Sequence, residues 1–245
     1  SLTLGRSLDV PRISRYDVHT ETPRPEKLVL DYDTTVKNDG RAADISGSGN
    51  DGMYYGHAQY SAVDKAFKFD GTGDTVYVDT NGNIADTNFP AGDAIYTMSC
   101  WIKPSTTQTV TNPCLIYFGS AWTSNQLAGL YLKDGNKVAH DIGSTNVATT
   151  NAVINAEQWY HIVLVKRGTG NIGANTTYQG IFVDGVEITQ LTMSGSARTQ
   201  ALGTIDNIAV GSSFYGTPGS FSEGFNGLIS NPKIYSVALE PSEVQ

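Results

Sequence analysis

Cysteine is scarce, with 2 residues in 245. That rules out a disulfide scaffold, which relies on several bridges. No apolar run approaches the ~18 residues of a membrane-spanning helix, so membrane insertion is not expected. No basic start followed by an apolar run is present, so no signal peptide is visible. Charge is thin as well, with 16% Asp, Glu, Lys and Arg. The 24 acidic residues outnumber the 16 basic ones, for a net charge of −8. A nucleic-acid partner needs clustered Lys and Arg to neutralise phosphates, and none is expected here. Helical periodicity is nearly missing, which excludes a parallel sheet built on crossover helices. What is present is 39% hydrophobic residues, 10% aromatics and 26 Gly. Such a chain is not disordered as a whole, and at this length about 70% of its surface can be buried on folding.

The basic residues are uneven. Arg6, Arg12, Arg15 and Arg24 fall in the first 24 residues, balanced by Asp9, Asp17 and Glu21. Pro11, Pro23 and Pro25 make this stretch extended rather than helical. Leu2, Leu4, Leu8, Val10 and Ile13 dot it with apolar side chains. Residues 1–26 are therefore read as an extended arm and 27–245 as a single domain. A free tail gains nothing from those apolar residues. The arm is expected to dock on other protein subunits through Leu4, Arg6, Leu8, Arg12, Ile13 and Arg15, the alternative being a plain linker.

Beyond the arm, strand-length runs rich in Val, Ile, Tyr, Phe and Thr alternate with Gly, Asn, Asp and Pro. They cover 28–33, 53–61, 65–69, 75–79, 95–102, 114–118, 127–133, 137–142, 159–165, 180–183, 186–188, 207–210 and 228–235. In 95–102, Tyr96, Met98, Cys100 and Ile102 share one face, while Ile95, Thr97, Ser99 and Trp101 share the other. Asp134-Gly135-Asn136 and Asp184-Gly185 are hairpin signals. Residues 240–244 suit one helical turn. The fold class is all-β, a two-sheet antiparallel sandwich or jelly roll.

Several segments stand in a telling order. They are Asp44-Ile45-Ser46-Gly47-Ser48-Gly49-Asn50-Asp51-Gly52, Phe67-Lys68-Phe69-Asp70-Gly71, Ser99-Cys100-Trp101-Ile102-Lys103-Pro104, Trp159-Tyr160-His161-Ile162-Val163, Phe182-Val183-Asp184-Gly185 and Phe225-Asn226-Gly227-Leu228-Ile229. Together, over about 27–245, they resemble the laminin-G-like branch of the concanavalin A-like lectin/glucanase superfamily. The resemblance implies a jelly roll. It also implies calcium near the meeting of the first loop and the Phe-Asp-Gly turn, with Asp44, Asn50, Asp51 and Asp70 as the candidate ligands. Against this, Ser230 and Asn231 stand where the family usually has an acidic pair. The alternative for that loop is a set of Asx-turn hydrogen bonds. The leader Leu2-Thr3-Leu4-Gly5-Arg6-Ser7-Leu8 resembles those of particle proteins from large DNA viruses infecting algae.

Glucanases of the superfamily carry a Glu-x-Asp-x-Glu strand; the seven Glu here are scattered and form none. No Gly-x-Ser-x-Gly elbow is present, and the four His lack metal-ligand spacing. The chain is read as a non-enzyme. Small polar loops with aromatics suit sugars or a neighbouring subunit, which makes Tyr117, Trp122, Tyr131, Phe214 and Tyr215 candidate contacts to cell-surface glycans or a partner. Trp101 and Trp159 are read as core or sheet-face residues; a core Trp159 would cost roughly 3–5 kcal/mol on truncation to alanine. Cys100 and Cys114 are expected as buried free thiols, with a disulfide as the alternative. The leading expectation is a non-catalytic interaction module on a particle surface, such as a virion structural or host-attachment protein. A secreted lectin-like domain is the alternative, and a glycan-active enzyme a distant third.

Overall fold

The computed structural model describes residues 22–34, 40–78, 89–120, 123–134, 136–203, 205, 207–214 and 220–244. The arm residues Leu4, Arg6, Leu8, Arg12, Ile13 and Arg15 lie outside them, as do Trp122 and Tyr215. Two large antiparallel sheets form a sandwich. One runs, neighbour to neighbour, Val186–Glu187, Gln179–Val183, Tyr160–Lys166, Tyr96–Pro104, Asn226–Tyr235, Ala66–Asp70 and Gln59–Ser61; Leu28–Asp31 also pairs with Asn226–Tyr235. The other runs Leu191–Ser194, Asn146–Thr149, Lys137–Asp141, Leu127–Lys133, Cys114–Gly119, Asn207–Val210, Thr75–Tyr77, Gly52–Tyr55 and Arg41–Ala42.

Alternation decides what lies between them. Tyr96, Met98, Cys100 and Ile102 from the first sheet meet Phe118, Leu130, Leu132, Val138 and Ile208 from the second in one continuous core. Asp184 and Gly185, at φ 50° and 75°, form the expected tight hairpin. The left-handed conformation strains Asp184 but not Gly185. The last turn is Pro241–Glu243, capped reciprocally by Glu240 and Glu243. One expected strand is corrected. Residues 53–61 are two strands on different sheets, Gly52–Tyr55 and Gln59–Ser61. Gly56 turns the chain between them at φ 70°, where a Cβ would meet the Asp74 carboxylate at 2.6 Å.

Part of each sheet's outer surface is also covered. Over the first, Leu239 and Val244 from the chain end pack with Leu28, Val163, Val165, Phe182 and Tyr235. Residues 22–24 join them, and the Arg24 Nε–H donates to Glu243 Oε1 at 2.7 Å. Arg24 is thereby tied to the last turn of the domain. Over the second sheet, the paired strands Ser213–Phe214 and Phe221–Ser222 help cover Cys114, Tyr117, Leu127 and Tyr131. Cys100 and Cys114 are both free and buried.

His140 is a hydrogen-bonded core residue. Its Nδ1–H donates to Gln179 Oε1 at 2.9 Å, and the Tyr96 hydroxyl donates to Nε2 at 2.7 Å. Burial holds its pKa down at about 4, whereas an unfolded histidine titrates near ~6.5. As pH falls, the unfolded chain therefore takes up the proton first. The stabilisation from this residue is complete above pH ~6.5 and is lost toward pH ~4. The wild type is expected to lose about 2 kcal/mol relative to H140N between pH 7.5 and pH 5. Asp31, Asp141 and Glu223, shifted upward by burial, act in the opposite sense but are common to both proteins. Urea melts of the two proteins at both pH values measure the difference; parallel losses would refute it.

Candidate functional site

The strand Tyr96–Pro104 sends alternate residues outward. Ser99, Trp101 and Lys103, followed by Ser105, line an open trough on the outer face of the first sheet. The neighbouring strands supply its sides. Lys233 stands opposite Ser99, Ser230 opposite Trp101, and Leu228 opposite Lys103. On the other flank, Val163 faces Ser99 and His161 faces Trp101. Trp159 and Glu157 continue that line, with the Glu157 N–H donating to Pro104 O at 2.7 Å.

Three hollows make up the trough. The first, about 220 Å³, lies among Ser99, Trp101, His161, Asn231, Lys233, Thr22, Pro23 and Glu243. The second, also about 220 Å³, lies between Trp101 and Trp159 above Asp64, Ser230 and Asn231. The third, about 260 Å³, is lined by Asp64, Lys68, Lys103, Glu157 and Asn226 among others. Trp101 is 42% exposed and Trp159 37% exposed. Trp101 stacks on His161, with ring centroids 5.0 Å apart and planes 21° apart. An indole in this setting is a broad apolar surface with a polar edge.

A bulge builds the floor. Pairing with Tyr96–Pro104 slips between Ser230 and Lys233, and Asn231 takes the left-handed conformation at φ 46°. Thr34 holds it there. Its hydroxyl donates to Asn231 Oδ1 at 2.9 Å and accepts from Asn231 N–H at 3.1 Å. Ser230 Oγ lies 2.8 Å from the same hydroxyl and donates to Lys65 O at 2.9 Å. Bulges re-aim side chains in this way. The two residues that depart from the family's acidic pair thus shape the trough.

Charges in the trough are mostly paired. Lys233 Nζ sits 2.7 Å from Asp31 Oδ2, and Lys103 Nζ 3.7 Å from Glu157 Oε2. Burial lowers the pKa of His161 despite nearby Asp184, which favours the neutral ring. Asp64 and Glu157 are exposed. Neither has the apolar enclosure that a glycosidase acid requires. The arrangement can stack a ring and hydrogen-bond its edge.

The sequence-derived candidates lie elsewhere. Tyr117, Tyr131 and Phe214 were expected near loops at the surface; the structure corrects this. All three lie on strands and are buried on the covered outer face of the second sheet. Gly129 is part of the reason, since a Cβ there would fall 2.1 Å from the Tyr131 ring. The proposed calcium ligands divide between two turns. Asp44 accepts the backbone N–H groups of Asp31, Ser46 and Asn50 at 2.9–3.0 Å. Asp51 accepts from Asp44 N–H, and Asn50 Nδ2–H donates to Val29 O. Asp70 instead joins His57 and Asp74, with ligand atoms within 4.8 Å of one another. Asp74 is already taken up by the N–H groups of His57 and Asp70. Sequence reasoning passed over Trp101 and Trp159 as binding residues. The signal was present, because alternation sets Trp101 on the face of Thr97 and Ser99, not that of Met98 and Cys100.

A laminin-G family model, described as the concanavalin A-like lectin/glucanases superfamily, matches residues 70–245. A search of curated proteins by sequence gives no match. Among solved structures, Trypanosoma rangeli sialidase is similar with a TM-score of 0.62 and 16% identity, over 96% of this chain and 36% of that one. Domain 4 of AbnA, a GH43 extracellular arabinanase from Geobacillus stearothermophilus in complex with arabinotriose, is similar with a TM-score of 0.59 and 19% identity, over 89% of this chain and 96% of that one. The botulinum neurotoxin serotype C1 binding domain is similar with a TM-score of 0.61 and 14% identity, over 90% of this chain and 51% of that one. The chain spans about a third of the length of the sialidases it resembles. These likenesses establish the fold, and the family match goes further: the chain belongs to the concanavalin A-like lectin/glucanases superfamily, in its laminin-G-like branch.

Proposed function

We propose that this chain is a non-catalytic carbohydrate-binding module whose ligand lies in the trough of the first sheet. One observation carries the reading: Trp101 and Trp159, both solvent-open, flank a ring-sized hollow floored by Asp64, Ser230 and Asn231. Apolar walls with a few convergent polar groups are the usual makings of a small-ligand site. Membership of a lectin-containing superfamily supports it.

A finer reading sets the module on the surface of an extracellular particle such as a virion. Residues 1–26 would contact neighbouring subunits. The position of Thr22 and Pro23 on the rim of the trough supports it. No described helix is long and apolar enough to cross a membrane. For the Asp44 loop we propose a hydrogen-bonded staple rather than a calcium site.

Three outcomes are expected. W101A should weaken binding on a glycan array roughly ten-fold or more, equivalent to ~1.4 kcal/mol, while its melting temperature stays close to wild type; undiminished binding would remove the site. W159A should cost less than about 2 kcal/mol of stability in urea, since the ring is at the surface and not in the core. D44A should destabilise by about 2 kcal/mol, because it strips acceptors from three N–H groups. That cost should be equal in chelator and in millimolar calcium. A melting shift with calcium that D44A abolishes would restore the metal.

A further inference from the structure

The trough has a direction. Its outward residues Ser99, Trp101, Lys103 and Ser105 follow one strand, which at its usual rise spans ~20 Å. The hollows follow the same line. The first and second share Trp101 and Asn231, and the second and third share Asp64. Three adjoining compartments of similar size, about 220, 220 and 260 Å³, match successive rings of a chain better than one terminal sugar.

Charge narrows the chemistry. Lys233 is taken by Asp31 at 2.7 Å, Lys103 by Glu157 at 3.7 Å, and Arg24 at the rim by Glu243 at 2.7 Å. Lys68 and Asp64 add one charge of each sign. An anionic sugar would have to break an existing ion pair to gain Lys233, Lys103 or Arg24, which leaves the partner uncompensated, and beside Lys68 it would meet the Asp64 carboxylate in the same hollow. It would also approach a chain of net charge −8, which slows the encounter.

We propose that the ligand is an uncharged oligosaccharide lying along Tyr96–Pro104, one ring to each hollow, with the central ring between Trp101 and Trp159. The proposal rests on the reading of the trough as a glycan site. It sets apart neutral chains from sugars bearing carboxylates, and internal stretches from single terminal residues.

The test uses the full chain and fluorescently labelled ladders, from one sugar residue to five, of gluco-, xylo-, arabino-, manno- and galacto-oligosaccharides. Galacturonic-acid ladders and sialyllactose supply the acidic arm. Affinity for at least one neutral series is expected to rise roughly ten-fold or more from one ring to three, then level off. Acidic ligands should bind roughly ten-fold more weakly or worse. W101A and W159A should each remove most of the gain with length. A tightest ligand that is acidic, or a monosaccharide that binds as well as a trisaccharide, overturns the inference while leaving the glycan site standing. Sugar binding that survives both W101A and W159A, or no sugar binding at all, overturns the site reading as well. The length and charge dependence is read on the unaltered protein, so it does not depend on how the variants fold.

Discussion

A strand near the middle of a sheet has to satisfy two faces with alternate residues, and Tyr96–Pro104 bears that constraint for the whole molecule. It is paired on both sides, to Tyr160–Lys166 and to Asn226–Tyr235. Its inward residues anchor the core shared by both sheets. Its outward residues run the length of the trough. A shift by one residue would exchange the two sets, placing Met98 and Cys100 in water and Ser99 and Trp101 in the core. The register that makes the sandwich stable also makes the site.

Several polar groups inside this charge-poor chain are held by specific partners. Lys166 is fully buried, and its ammonium reaches Asp93 Oδ1 at 2.7 Å and the carbonyls of Ala94 and Gly168 at 2.9 Å. Such a charge is tolerated only when paired and hydrogen-bonded. Asn50 is buried and tied through its side chain to Val29 and through its carbonyl to the Tyr32 hydroxyl. Thr34 links the bulge of Asn226–Tyr235 to Tyr60, whose hydroxyl donates to Thr34 O at 3.1 Å. The trough is therefore framed by strands and turns distant in sequence, and its floor is locked by short polar contacts.

Most of the fold was legible because it is written in local periodicity and turn chemistry. Hairpins at Asp134 and Asp184, the faces of Tyr96–Ile102 and the last turn all follow from rules that act over a few residues. What escaped depends on longer range. Asn146–Thr149 and Leu191–Ser194 are short, and their pairing is set by the sheet they extend. The division of 53–61 depends on a glycine whose close neighbour, Asp74, lies far along the chain. The site was less legible for a related reason. Aromatics near predicted loops look like surface candidates, yet Tyr131 lies flat over Gly129 and Phe214 sits over the second sheet, which only assembly of the strands reveals. Trp101 was legible by alternation. Its weight as a large apolar residue argued for burial, and no local rule says that His161 stands opposite to stack against it.

The two thiols have a practical side. Cys100 and Cys114 are buried, and burial pushes both pKa values up. Reactivity belongs to the exposed thiolate, so neither native sulfur is positioned to compete for a maleimide or a spin label. A single substitution on the trough rim, such as S61C, would then carry the reporter alone, and distances measured from it would map how a bound chain runs across the sheet.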